Sequence, residues 1–230
     1  MRTLAFDTSG TTASVALVEG SRARASFRVR RETGHDAALL QQCQSVLTLS
    51  GFELSRVELV AVGTGPGTFT GLRVGLATAK GLCLAAGLPL AGVSSLQVLA
   101  APLAGQHRVA VAMVDAHKSQ VYVAAYARHA DGQLLERLAP RCADPLEAGQ
   151  LLLSLAGSPL LLCGSGARRY AESLLALLGD RAQLVSPFHD VVDAETLAVE
   201  AQQQLLRHGA SDLAALQPCY VRPSDARKPG

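Results

Sequence analysis

Two stretches of this chain carry residues that could handle an anion. The first is Asp7-Thr8-Ser9-Gly10-Thr11-Thr12, a set of short hydroxyl residues and a glycine between two apolar runs. A turn of this composition can bring backbone N–H groups close to a phosphate, although a plain hairpin turn uses the same residues. The second is Gly63-Thr64-Gly65-Pro66-Gly67-Thr68-Phe69-Thr70-Gly71-Leu72-Arg73, a glycine loop leading into a helical pattern. Helix N-termini attract anions. The loop is not a Walker A sequence, because no Gly-Lys-Ser/Thr follows. It is not the dinucleotide fingerprint, because Thr68 stands where the third glycine belongs. The candidate phosphate-facing residues are therefore Asp7, Thr8, Ser9, Thr11, Gly65 and Gly67.

Other chemistries find less support. None of the six histidines pairs at i, i+4, and no H-E-x-x-H occurs, which argues against a zinc protease. Gly92-Val93-Ser94 opens like a nucleophile elbow, but Leu96 occupies the closing glycine position. The five cysteines, at 43, 83, 142, 163 and 219, are odd in number and form no C-x-x-C pair. They read as small buried hydrophobes rather than as disulfides or zinc ligands.

The elements that must hold these residues follow from apolar periodicity. Runs at 3–8, 13–18 and 22–30 predict an antiparallel meander, the last strand half exposed through its alternation. Leu39, Leu40, Cys43, Val46 and Leu47 mark one face of a helix from Asp36 to about Ser50. A strand at 57–62, a helix from about Thr70 to Ala86 with Gly87 as its C-cap, and a strand at 88–93 imply a right-handed parallel crossover. Along the second helix run Gly71, Gly75, Ala79, Cys83 and Ala86. Each interior glycine costs about 1 kcal/mol relative to alanine, so something packs closely there. Either this chain's own sheet or a subunit interface anchored by Leu72 and Leu76 would account for it.

The order then recurs. Strands are expected at 108–114, 121–127 and 133–138, followed by a helix at 146–156 and a strand at 160–163. After them come a Gly164-Ser165-Gly166 loop, a helix at 168–178 and a last helix at 194–207. Asp7 and Asp115 each end a first strand, 108 residues apart, and Gly63 and Gly164 each follow the strand behind a first helix, 101 apart. Duplicated βββαβα lobes point to an α/β protein of two-lobed actin/Hsp70-like (ASKHA, ribonuclease H-like) fold. The first lobe is expected to span residues 1–104, and a second, smaller lobe 105–230, including the C-terminal helix and an extended tail after Pro218.

Composition sets the outer limits. The 230 residues are 49% hydrophobic and 17% charged, enough to bury a core. The net charge is +2 and no Lys/Arg run exceeds two, so any RNA contact is expected to be indirect or shared with a partner. No stretch offers the roughly 18 apolar residues that span a membrane. Asp7 stands where a signal peptide would be apolar, so the cytoplasm is expected.

Gly65-Pro66-Gly67-Thr68-Phe69-Thr70-Gly71-Leu72-Arg73, followed by Lys80-Gly81-Leu82, resembles the signature string of the TsaB (YeaZ) family. Phe6-Asp7-Thr8-Ser9 with Ala13-Ser14-Val15-Ala16-Leu17, Val114-Asp115-Ala116-His117 with Val121-Tyr122, and Pro218-Cys219-Tyr220-Val221-Arg222 resemble further segments of that family. Two departures stand out: His117 replaces an arginine and Gln120 an acid. The resemblance implies a non-catalytic subunit of the machinery that transfers threonylcarbamoyl from its adenylate to N6 of the adenosine beside the tRNA anticodon. Its partners would be a TsaD-type catalytic subunit and a TsaE-type ATPase, with homodimers when alone, and ATP and a metal would be used by those partners. The interface expected is Leu39, Cys43, Leu72, Gly75, Leu76 and Ala79. Where the catalytic paralogue carries His-x-x-x-His for a metal, this sequence places Ser95 and Leu99. The turn after the second lobe's first strand also lacks glycine. The alternative is a free-standing ATPase or kinase of the same fold; an old glycoprotease label on the superfamily fits less well, for want of the histidine pair.

Overall fold

The computed structural model describes residues 1–30, 38–155 and 157–221. Strands β1 (Arg2–Asp7), β2 (Thr12–Glu19) and β3 (Arg22–Arg30) form the antiparallel meander. Helix α1 (Leu39–Ser50) leads to β4 (Leu59–Gly63), parallel to β1, and α2 (Phe69–Ala86) leads to β5 (Leu90–Val93), parallel to β4. The first sheet has the order β3-β2-β1-β4-β5. After α3 (Ser95–Ala100) come β6 (Val109–Asp115), β7 (Val121–Arg128), β8 (Leu134–Ala143), α4 (Pro145–Leu153) and β9 (Leu160–Cys163). The second half closes with α5 (Ser165–Arg169), α6 (Ala171–Leu178) and β10 (Ala182–Leu184). Its sheet, β8-β7-β6-β9-β10, repeats the first strand for strand, so the duplication read from the sequence is present in full.

Local chemistry explains several boundaries. Gly87 ends α2 in the left-handed region at φ 65°, its N–H bonding the Cys83 carbonyl. Asp144 caps α4, its Oδ1 accepting from the N–H groups of Leu146 and Glu147 at 2.9 Å, with Pro145 in the first turn.

Alternation along the strands sorts the core into three layers. In β1, Leu4 and Phe6 face α1 and α2, while Ala5 faces the other way. In β6, Val109, Val111 and Met113 face the outer helices of the second lobe, and Ala110 and Ala112 face inward. The central layer is lined by small strand residues, Ala5, Ala16, Ala61, Ala91, Ala110, Ala112 and Ala124. Alanine on both sheets lets α3 and the last helix, α7 (Ala194–His208), approach closely between them. Deleting a buried leucine there, such as Leu197, would cost about 2–5 kcal/mol.

Several features depart from the expectation. α7, placed by sequence order with the second lobe, packs on the first sheet through Leu197, Ala198 and Ala201. Chain order gave no sign of this, because an amphipathic helix does not say which sheet it covers. β8 runs on to Ala143, its register shifting against β7 near Ala125, and the helix expected at 168–178 is split at Tyr170 into α5 and α6. Gly164-Ser165-Gly166 is not a free loop, because α5 starts at Ser165. α3 and β10, of six and three residues, are too short to show a period. The expected helix start at Asp36 and the motif residue Arg222 lie outside the described residues. No helix among the described residues is long and apolar enough to cross a membrane.

Candidate functional site

A cleft of about 690 Å³ opens between the lobes. Its walls bring together the two hairpin ends that sequence spacing singled out, at Asp7 and Asp115, with Thr11 and Gly67 from the first lobe, Ser165 and Asp190 from the second, and Tyr220 from the tail.

The first hairpin is tied inward. Asp7 is fully buried; its Oδ1 accepts from the Ser9 N–H at 2.9 Å and the Ser9 hydroxyl at 2.8 Å, and its Oδ2 accepts from the Ser95 hydroxyl at 3.1 Å. Thr8 donates its hydroxyl to the Gly71 carbonyl at 2.6 Å, and the Ser9 carbonyl accepts from Thr68 N–H at 2.7 Å. Of the hydroxyls expected to face phosphate, those of Thr8 and Ser9 are thus engaged within the protein, and Thr11 is exposed at the cleft.

The glycine string has a packing reason. A Cβ at Gly67 would stand 2.4 Å from the Ser9 carbonyl oxygen, and one at Gly71 would stand 1.9 Å from that of Thr8. One at Gly63 would stand 1.8 Å from the Asp7 carboxylate. The loop and the first turns of α2 therefore lie directly against the hairpin, and glycine alone permits it. Gly65, at φ 97°, adopts a conformation that side chains disfavour.

The second lobe repeats the device with different residues. Gly164 and Gly166 press against the backbone at Met113 and Val114. Asp190 accepts from the Gly164 N–H at 2.7 Å, much as Ser95 accepts from the Gly65 N–H at 3.1 Å. Arg168 Nε donates to Asp190 at 2.9 Å, and Arg169 to Asp115 at 2.6 Å. In the hairpin itself His117, Lys118 and Ser119 hold φ of 58°, 51° and 56°. Three consecutive non-glycine residues in the left-handed region are strained, by roughly 1–2 kcal/mol each.

The interface residues expected on α1 and α2 need correction. Leu39, Cys43, Leu72, Leu76 and Ala79 are each 4% exposed or less, and Gly75 is buried against Thr8. The small-residue side of α2 faces this chain's own sheet, where close packing needed it. Three other leucines of the two helices, Leu40, Leu49 and Leu84, are exposed, at 58%, 70% and 73%.

One cluster was missed. Phe69 and Tyr220 meet at the cleft mouth with ring centroids 5.7 Å apart, and the Arg73 guanidinium lies 3.8 Å over the Phe69 ring. All three stand in motif strings quoted above, but only the fold brings the tail back to α2. Cys219 N–H bonds the Thr64 carbonyl at 2.8 Å and Ser211 N–H the Leu90 carbonyl at 2.7 Å.

Two pseudo-equivalent lobes with a hairpin on each side of a cleft define a protein of the actin-like, ASKHA class. A ROK hexokinase from Thermus thermophilus shares the fold, with a TM-score of 0.52 at 14% identity over 89% of this chain and 100% of that one. A family model described as "TsaD: tRNA N6-adenosine threonylcarbamoyltransferase" matches residues 31–217. The chain belongs to this family, and within it to the TsaB (YeaZ) group. The tRNA threonylcarbamoyladenosine biosynthesis protein TsaB of Escherichia coli K12 is 41% identical over 136 residues, 57% of this chain and 58% of that protein. Its Bacillus subtilis namesake is 28% identical over 233 residues, 98% of this chain and 96% of that one. The structure of YeaZ from Pseudomonas aeruginosa superposes with a TM-score of 0.78 at 26% identity, over 95% of this chain and 99% of that one. The matched segment spans less than two thirds of the E. coli protein.

Proposed function

We propose that this chain is the non-catalytic subunit that works with a TsaD-type catalytic subunit and a TsaE-type ATPase to transfer threonylcarbamoyl from its adenylate to N6 of the adenosine beside the tRNA anticodon. One observation carries the reading. At the positions matching the paralogue's metal histidines, Ser95 is buried with its hydroxyl between Asp7 and Gly65, and Leu99 is packed in the core between the lobes. Leucine ligates no metal, and a buried hydroxyl already bonded to a carboxylate is a poor ligand. The names of the E. coli and B. subtilis relatives support the pathway.

In this reading ATP and the metal belong to the partners, the chain acts in the cytoplasm, and contact with tRNA is shared. The partner meets the exposed side of α2, at Leu84, and the same side makes a homodimer when the chain is alone. A free-standing ATPase is disfavoured by the inward hydroxyls of Thr8 and Ser9 and by the glycine-free turn at His117 to Ser119.

The test is nucleoside mass spectrometry of tRNA incubated with threonylcarbamoyl-adenylate, TsaD and TsaE, with and without this chain, and with this chain alone. Threonylcarbamoyladenosine should form only when the chain is combined with TsaD. Product from the chain alone would make it catalytic, and full product without it would remove the helper role.

A further inference from the structure

We propose that Arg73 is a specificity contact of the partner face: it grips a carboxylate of the TsaD-type subunit and so favours that partner over a second copy of this chain. The inference rests on the subunit reading above. Thr70, Arg73, Ala77, Gly81 and Leu84 are all exposed, at steps of three and four residues, and form one stripe along α2. Arg73 and Leu84 lie about 16 Å apart along the helix axis. Between them the side chains are small, and a Cβ added at Gly81 meets nothing within 4 Å. A partner helix laid on Leu84 therefore has an open path to Arg73.

Arg73 is held in place by neutral groups. Its guanidinium lies 3.8 Å over the Phe69 ring, and its Nε donates to the Tyr220 hydroxyl at 3.4 Å. The backbone bond from Cys219 to Thr64 anchors the residue before Tyr220. Arg2, Arg24, Arg28, Arg168 and Arg169 each bond a carboxylate of this chain. Arg73 has no such partner among the described residues, and its two terminal NH2 groups make no bond to any of them. Those groups are the fork that takes a carboxylate side-on. Holding the fork in advance lowers the ordering cost of binding.

The surroundings choose the anion. A nucleic-acid backbone is bound by a row of cations. The only other charged residue of α2 is Lys80, about 10 Å further along the axis. A single arginine beside aromatic rings, at the end of an uncharged stripe, is instead the composition of a protein interface. Neither α1 nor α2 contains an Asp or Glu. Two copies meeting through these helices thus offer Arg73 no carboxylate from either one, and specificity is this difference between partners.

The experiment titrates the whole chain against a TsaD-type subunit and measures self-association by sedimentation equilibrium, for wild type, Arg73→Gln and Arg73→Lys. Arg73→Gln should weaken the heterodimer about tenfold or more, with self-association and melting unchanged. Arg73→Lys keeps the charge without the fork and should fall between, a second reading of the site should the glutamine variant fold poorly. Raised salt should narrow the gap between wild type and Arg73→Gln. If wild type does not bind the TsaD-type subunit, the subunit reading falls and this inference with it. If wild type binds and Arg73→Gln binds equally well, this inference alone is overturned. Equal weakening of heterodimer and homodimer overturns the specificity role. An intact heterodimer that loses affinity for tRNA in Arg73→Gln would make the anion an RNA phosphate and overturn the carboxylate.

Discussion

The Ser95 hydroxyl sits 3.1 Å from both the Asp7 carboxylate and the Gly65 N–H, donating to the first and accepting from the second. The first residue of α3 thereby joins the end of β1 to the loop after β4, a bond across 88 residues of chain. Ser95→Ala removes both bonds at a fully buried site and leaves the Gly65 N–H without this acceptor. Urea unfolding should register a loss of about 1–3 kcal/mol. An unchanged midpoint would show that the joint contributes nothing.

Two glycines ten residues apart on α2 should respond to alanine with opposite signs. At Gly81 an added Cβ meets nothing within 4 Å, and helix propensity favours alanine by up to about 1 kcal/mol. At Gly71 the same methyl group lands on the Thr8 carbonyl oxygen, forcing the helix off the hairpin, and should cost about 1–3 kcal/mol or more. Thermal or urea denaturation of the two variants, side by side, separates propensity from packing.

Leu76 and Leu84 separate folding from association. Leu76 is 4% exposed in the core beneath α2, so Leu76→Glu buries a charge and should destabilise the chain severely, visible as loss of soluble protein or of its cooperative melt. Leu84 is 73% exposed, so Leu84→Glu should melt within about 0.5 kcal/mol of wild type and fail to co-purify with a TsaD-type subunit. Retained co-purification would place the partner on another face.

The buried thiols predict a one-sided pH dependence. Burial pushes Cys43 and Cys163 each up to about 12. In the unfolded chain these thiols ionise near 8.5, so between that pH and 12 unfolding releases protons and rising pH favours it. Stability should be fully present below pH 8.5 and fall by up to about 1.4 kcal/mol per pH unit per thiol above it. Urea midpoints at pH 8 and pH 10 check this, and Cys163→Ala should flatten the decline.

Lys118 holds the middle of the left-handed run at φ 51°. Glycine adopts that conformation without steric cost, so Lys118→Gly should raise stability by about 1 kcal/mol, read from the denaturation midpoint. A loss instead would mean that the lysine side chain contributes more to the turn than its backbone costs.

Much of the architecture was legible in the sequence because burial leaves a period. The alternation of 22–30, the apolar run at 57–62 and the helical spacing of Leu39, Cys43 and Val46 each report a face, and their repetition after residue 105 reports the second lobe. Asp7 and Asp115 were also legible as partners, since each ends a first strand at a like offset. What sequence could not determine is which surface a face meets. The glycines of α2 imply close approach, but only the tertiary structure shows the Thr8 and Ser9 carbonyls as the surfaces approached, which turns expected interface residues into core. The placement of α7 on the first sheet and the return of Tyr220 to Phe69 are contacts across 100 residues or more, set by the shape of the folded lobes. Periodicity records that a side chain is buried; the partner that buries it is decided only when both lobes have formed.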